Sequence, residues 1–381
     1  MNLTTLDVPA IKINFYRRSH AIFRQVSTAG LLGSIVVSAA SITSQAEAAQ
    51  AVSEPITNQA KDAQAKDSQA SASPGDPAVD IKASSNVADW LSKLAHVVAS
   101  ANFQVSFVQS KLGQETIPWL WRHAVLEDGT EMEQLNLQNG PGQEQIRVND
   151  VVSVFEPDVP PYSVRSGAIH GPIPAMLLQQ PKKLEDAYKF VAVGRARVSG
   201  RTAQQLRIIS RDNTRFSYQL WLDETSGMLL KFNTLDLQGN VLEQIQVTSL
   251  DITQGPHDYF SKVNQSSLPQ SVTGNLSRSD KHKWQVSYLP QGMVEISGNV
   301  RRLALTGQAV EHKLFSDGLV DVSIYVQSAK QAIGSDLALR HDLSTFLTFT
   351  RGAAQITVLG EIPLQTATAM AKSISLTDKK Q

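Results

Sequence analysis

Arg215-Phe-Ser-Tyr-Gln-Leu-Trp-Leu-Asp-Glu-Thr-Ser-Gly227, continuing Met228-Leu-Leu-Lys-Phe-Asn-Thr-Leu-Asp-Leu-Gln-Gly-Asn-Val-Leu-Glu-Gln-Ile-Gln-Val247, is the stretch that decides the fold. Phe216, Tyr218, Leu220 and Leu222 recur at every second position, the period that puts side chains on one face of a strand. Thr225-Ser226-Gly227 and Gln238-Gly239-Asn240 then punctuate two further β-rich runs, Leu229 to Leu235 and Val241 to Val247. Three such runs joined by tight turns predict sequential antiparallel strands.

Working outward, the same pattern recurs upstream at Val151 to Phe155, Phe190 to Val198 and Leu206 to Ile209, with turn signals ahead of them at 127–129, 138–142 and 148–150. Phe103, Val105 and Phe107, then Ile117, Trp119 and Trp121, add two more alternating runs. Ahead of them Val87, Trp90, Leu91, Leu94, Val97 and Val98 fall at spacings of three and four, which predicts an amphipathic helix. A second helix is expected from Ile173 to Gln180, with Pro181 either ending it or being passed on the way to Lys189. One strongly curved sheet with helices against its concave side makes a half-open barrel. The aromatic stripes on it (Phe103, Phe107, Trp119, Trp121, Phe216, Tyr218, Leu220 and Leu222) either line a lipid cavity or fill the core, and the pattern alone leaves both open.

Regular patterning lapses from Ser261 to Ser279, a composition suited to a linker and hinge. A second β-rich unit follows over 280–376, with runs at Trp284 to Tyr288, Met293 to Ser297, Val310 to Phe315, Leu319 to Val326, Thr345 to Thr350 and Gln355 to Leu359. Ser316-Asp317-Gly318 predicts a hairpin in which both central residues take positive φ. A closing helix from Pro363 would bury Leu364, Ala367, Met370, Ala371 and Ile374. The fold class is therefore α+β, mostly antiparallel β: a first domain at 87–260, a linker at 261–279 and a smaller sheet-and-helix domain at 280–376.

The N-terminus has the form of an export signal, basic up to Arg24, apolar from Ala29 to Ile42, with small residues at Ala46-Glu-Ala48. Cleavage is expected near Ala48, since an apolar run of about 14 residues falls short of the roughly 20 that span a bilayer. Residues 49–86, rich in Ala, Gln, Ser, Asp and Lys, read as a disordered spacer. The chain has no cysteine, which fits an exported protein that relies on its core alone. Past residue 48 it carries 31 Lys and Arg against 33 Asp and Glu, so no global field favours nucleic acid.

No catalytic constellation stands out: there is no nucleophilic Cys, no Gly-x-Ser-x-Gly elbow, no Walker loop and no His-Glu-x-x-His helix. The eight His residues are scattered, so neither a metal site nor a cofactor is expected. His123 with Glu127, Glu131 and Glu133 is the nearest approach to an acid/base cluster, on a hairpin whose polar residues are expected to face water. Arg195, Arg197, Arg201 and Arg207, with Lys182 and Lys183, suit an acidic partner or a solvated face.

Several stretches resemble the MucB/RseB family of periplasmic regulators: Trp121-Arg-His-Ala-Val-Leu126, Val154-Phe-Glu-Pro157, Phe190-Val-Ala-Val-Gly-Arg195, Arg211-Asp-Asn-Thr-Arg-Phe-Ser-Tyr218, Leu220-Trp-Leu-Asp223 and Leu242-Glu-Gln244. In the second unit Leu289-Pro-Gln-Gly292, Leu314-Phe-Ser-Asp-Gly-Leu319 and Ile356-Thr-Val-Leu-Gly-Glu-Ile-Pro363 continue it. The matches run in order from Trp90 to Ile374. The resemblance implies a LolA-like first domain and a second domain that contacts a protein partner. It further implies binding of the periplasmic domain of the anti-sigma factor RseA (MucA-like), protection of that factor from proteolysis, and lipid or lipopolysaccharide as a releasing ligand. Candidate partner contacts are Leu289, Pro290, Gln291, Gly292, Arg301, Arg302, Phe315, Asp317 and Gly318. The alternative is a periplasmic carrier of lipid or lipoprotein of the LolA type. A homo-oligomer is compatible with the sequence and not required by it.

Overall fold

The computed structural model describes residues 87–271, 282–302, 309–329 and 336–376; the export signal and spacer lie outside them. Helix α1 (Val87–Ser100) forms as its spacing predicts and buries Leu91, Leu94, Val97 and Val98. The first domain then runs through β1 (Asn102–Lys111), β2 (Ile117–Val125), β3 (Glu131–Leu137), β4 (Glu144–Val148), β5 (Val151–Glu156) and β6 (Val159–Arg165). After α2 (Ala175–Gln179) come β7 (Tyr188–Val198), β8 (Arg201–Ser210), β9 (Ser217–Asp223), β10 (Leu229–Leu235) and β11 (Val241–Thr253). These strands form one antiparallel sheet of eleven, ordered β6-β5-β4-β3-β2-β1-β11-β10-β9-β8-β7. Two meanders meet where β1 pairs with β11, and the ends β6 and β7 do not pair. The result is the expected half-open barrel, with α1 and α2 buried against the concave face.

Helix α2 ends at Gln180 and does not pass Pro181. Proline offers no N–H to continue the ladder, so the chain tightens into a 3-10 turn over Pro181–Asp186 and enters β7.

The described half of the linker is not a free tether. It follows α3 (Asp258–Ser261) at the end of the first domain, whose Phe260 is buried with Ala124 and Met132 on the outer face of the barrel, and its own Val263 packs on that cluster. Tyr259 Oη donates to Glu144 Oε1 at 2.8 Å, and the Arg122 guanidinium lies 5.2 Å from the Tyr259 ring. Further on, Ser163 Oγ donates to the Pro269 carbonyl at 2.6 Å, and Ser163 bridges Ser271. Within the expected 261–279 linker, Val263, Pro269 and Ser271 thus rest on the first domain.

The second domain holds β12 (Trp284–Val286), β13 (Val294–Arg302), β14 (Ala309–Ser316), β15 (Asp321–Ser328), β16 (Leu337–His341), β17 (Ser344–Arg351), β18 (Ala354–Gly360), α4 (Leu364–Lys372) and β19 (Ile374–Leu376). Six strands form a sheet ordered β13-β14-β15-β18-β17-β16, and β12 pairs with β19. Ile374, expected on the closing helix, instead pairs with Val286 in β19, because the helix ends at Ser373. The β14–β15 hairpin is present, but only Gly318 has positive φ, at 91°. Asp317 takes ordinary φ because its carboxylate caps the loop, accepting from the N–H groups of Leu319 at 3.0 Å and Val320 at 2.9 Å. Trp284, Phe315, Val322 and Ile356 join one hydrophobic core with Leu177, Leu184 and Tyr188 of the first domain.

Candidate functional site

The aromatic stripe of the half-barrel is packed. Phe103 is 2% exposed, with its ring edge-to-face on Trp121 at 4.8 Å and stacked on His123 at 5.3 Å. Phe107 stacks on Trp119 at 6.3 Å, and Tyr218 on Phe232 at 5.4 Å; Leu220 and Leu222 are fully buried. The concave face also carries ions. Trp121 Nε1 donates to Glu133 Oε1 at 2.7 Å, and Arg147 Nε donates to Glu133 Oε2 at 2.7 Å. Nearby, Trp119 Nε1 donates to Gln109 Oε1 at 3.2 Å, while Gln109 Nε2 donates to the buried Glu243 at 2.5 Å. His123 and Glu133, expected to face water, are therefore inside. His123 Nδ1 lies 2.7 Å from the Ala101 carbonyl, and Glu133 is tied to Trp121 and Arg147.

Of the basic run, Arg201 makes a two-pronged pair with Asp223 at 2.9 and 3.1 Å, and Arg195 reaches Glu224 at 2.8 Å. Arg197, Arg207, Lys182 and Lys183 are exposed.

Most residues nominated for partner contact lie at the seam between the two domains. Phe315 and Pro290 are buried, Leu289 packs against the core, and Asp317 has no exposed side-chain surface. Gln291 is exposed overall, yet its N–H donates to Asp212 Oδ2 at 2.7 Å and its Nε2 to the Asp186 carbonyl at 3.2 Å. Arg301 and Arg302 stand apart at the end of β13, opposite Val310 and Ala309.

Sequence reasoning missed the group that organises this seam, Arg215. Its side chain is fully buried just before β9, and Nη2 donates to the carbonyls of Gln291 at 2.8 Å and Ala187 at 3.2 Å. Its Nε lies 3.2 Å from Asp317 Oδ2, and its guanidinium sits 5.1 Å from the Tyr188 ring. Tyr188 Oη donates to the same Asp317 oxygen at 2.9 Å. Burial pushes the Asp317 carboxyl above the ordinary aspartate value, and the Arg215 charge with the backbone and Tyr188 hydrogen bonds offsets only part of that. Burial also raises the Tyr188 phenol, with Tyr218 and Asp317 adding to it. The available signal was a cation heading an apolar-alternating strand, where no solvated face was due.

Asp212 behaves oppositely. Burial would raise it, but the Gln291 and Thr214 hydrogen bonds and the Arg215 charge more than offset this, so it stays below its ordinary value. A depressed carboxylate adds stability above its unfolded pKa and loses it as pH falls through the folded one. The deficit of Asp212→Asn at neutral pH should therefore shrink in acid below the aspartate range, measured by denaturant unfolding at both pH values; an equal deficit would contradict this role.

Two glycines let the domains approach. A Cβ on Gly292, whose φ is 79°, would meet Ala187 Cβ at 2.5 Å; one on Gly318 would meet Met176 Cγ at 2.9 Å and Leu184 Cδ2 at 3.0 Å. Gly292→Ala adds a clash to a left-handed backbone, so unfolding should show a loss of about 1–3 kcal/mol. A shift under about 0.5 kcal/mol, the size of an ordinary surface change, would mean the seam yields there.

The MucB/RseB N-terminal domain matches residues 86–272 and the MucB/RseB C-terminal domain residues 278–375. The Sigma-E factor regulatory protein RseB of Escherichia coli is 32% identical over 277 residues, covering 72% of this chain and 86% of that protein. The solved complex of Pseudomonas aeruginosa MucA and MucB superposes with a TM-score of 0.62 at 26% identity, over 77% of this chain and all of that one. A crystal structure of MucB alone gives 0.50 at the same identity, over 77% of this chain and 98% of that one. With both domain models matched in order across the two folded units that the buried seam joins, the chain belongs to the MucB/RseB family.

Proposed function

We propose that this protein is a periplasmic negative regulator of a sigma-E-type envelope stress response. It binds the periplasmic part of a membrane-embedded anti-sigma factor of the RseA/MucA kind and shields it from proteolysis; it is a binding protein, not an enzyme. The observation that carries this is the pairing of both family domains through one buried seam, in an overall geometry nearer to MucB holding MucA than to MucB alone. Export with cleavage near Ala48 would deliver it to that compartment.

Release by lipid or lipopolysaccharide requires the ligand to favour a different state from the one that holds the peptide, and it can act only by that differential affinity. A carrier of the LolA type would need an open apolar hollow. The stripe that would line it is filled by stacked rings and by the Glu133–Arg147 pair, which favours the regulator.

The test is protection. The mature protein mixed with the anti-sigma factor's periplasmic segment should slow cleavage of that segment by a site-1-type protease, and added lipopolysaccharide should restore cleavage. Unchanged cleavage with and without the protein would remove the regulatory assignment, and retention of acylated proteins instead would favour the carrier.

A further inference from the structure

The buried polar contacts of the seam converge on one residue. Arg215 belongs to the first domain, yet its guanidinium meets the second domain twice, at the Gln291 carbonyl and the Asp317 carboxylate, while also holding Ala187 of its own domain. Asp317 is itself committed on both oxygens: Oδ1 caps the 317–320 loop and Oδ2 receives Tyr188 from across the seam. The β14–β15 loop, the Leu289 to Gly292 turn and the start of β9 thus share one ion pair from which water is excluded.

Such a pair adds little over an apolar substitute of equal shape, but breaking it leaves the buried Arg215 charge with Asp212 alone, at 3.3 Å and on its own domain. That asymmetry suits a latch, in which one geometry brings the Arg215 charge onto Asp317 and the Gln291 carbonyl and a displaced domain loses both. No other described ion pair crosses the seam with both side chains fully buried. Other described polar crossings include the Thr366 hydroxyl on the Thr214 carbonyl, Gln114 on Asp342, the two hydrogen bonds of Gln291, and Arg340 stacked 5.2 Å from Phe216.

We infer that Arg215 is a positioning residue for partner binding: through Asp317 and Gln291 it holds the second domain in the arrangement that takes the anti-sigma segment. The inference rests on the proposed function and adds to it which residue sets the competent arrangement. If only a fraction of molecules keep that arrangement, the apparent Kd rises in inverse proportion to the fraction.

Asp317→Asn is the near-isosteric probe. Its Oδ1 still caps the loop, but the amide nitrogen that replaces Oδ2 faces two donors. The absence of native cysteine allows a spin-label pair at Leu112→Cys and Ser328→Cys, both exposed and one on each domain. The labelled protein should give one narrow distance, and Asp317→Asn should broaden it and weaken binding of the anti-sigma segment at least tenfold. Arg215→Lys, which keeps the charge and loses the fork, should fall between. Tyr188→Phe, which removes one donor and no charge, serves if Asp317→Asn does not fold; it should weaken binding measurably and less. Broadened distances with unchanged affinity, or lost affinity at an unchanged distance, would overturn the positioning role while leaving the function standing. A parent protein that binds no anti-sigma segment but keeps its single distance would instead overturn the functional assignment, and the positioning role with it.

Discussion

Phe103→Ala should cost the first domain about 3–5 kcal/mol, the usual range for a fully buried aromatic cut to alanine. Phe103 heads β1 at 2% exposure, and its ring meets Trp121 and His123 from β2 in the core that α1 covers. Alanine would remove both ring contacts, each of a kind worth roughly 0.5–1.5 kcal/mol beyond area burial. The cavity would lie between a helix and a two-sided sheet, where neighbours can collapse only partly. Denaturant unfolding followed by tryptophan fluorescence measures it, reading the first-domain transition separately because a two-domain chain need not unfold in one step. A ligand-lining role makes the opposite forecast. A variant with near-parental stability that had lost binding of an acyl-chain probe would show that Phe103 serves a cavity and not the core.

The same residue shows how far the sequence could be read. Alternation placed Phe103, Val105 and Phe107 on one face of β1, and the structure agrees. Alternation also put Phe216, Tyr218, Leu220 and Leu222 together, and those four are buried. It could not say whether a face is lined or filled, because that depends on what arrives from far along the chain. Here α1 and α2 cover it, and Phe216 meets Arg340 of the second domain. The seam was less legible for a related reason. Family resemblance singles out Gln291, Gly292, Phe315, Asp317 and Gly318 for a partner, and says nothing of the contacts they make across the seam within the chain. Nothing local to Ser316-Asp317-Gly318 signals a cation about a hundred residues upstream, and an Asp-Gly turn is satisfied equally by water. Family resemblance gives order along the chain; it does not reveal that Arg215 points into another domain. Pro181 was the opposite case, since its missing N–H is a local fact that ends α2 whatever surrounds it.

Arg147→Met is expected to be as damaging as the loss of Phe103, for an electrostatic reason. Glu133 keeps only 9% of its side chain exposed and balances its charge against Arg147 Nε at 2.7 Å, with Trp121 Nε1 as its other donor. Burial alone would lower the Arg147 pKa, but Glu133 and Glu131 raise it above its ordinary value, so the guanidinium keeps its charge. Removing the arginine strands a buried carboxylate with one neutral donor, a change that costs about 3–5 kcal/mol where it has been measured in other proteins. Glu131, whose side chain is 43% exposed, should contribute little, as surface pairs do. The cycle is completed by Glu133→Gln, which keeps an acceptor for Trp121, and by the double variant. If Glu133 and Arg147 act as a unit, the double variant should be more stable than Arg147→Met by about 1–3 kcal/mol, the coupling range for contacting residues. Additive losses would mean that Arg147 matters through its hydrogen bond to the Asn149 carbonyl, at 2.9 Å, and not through the charge it neutralises. The outcome bears on function as well, since a barrel that depends on an ion pair across its concave face cannot open that face to an acyl chain without disturbing its own fold.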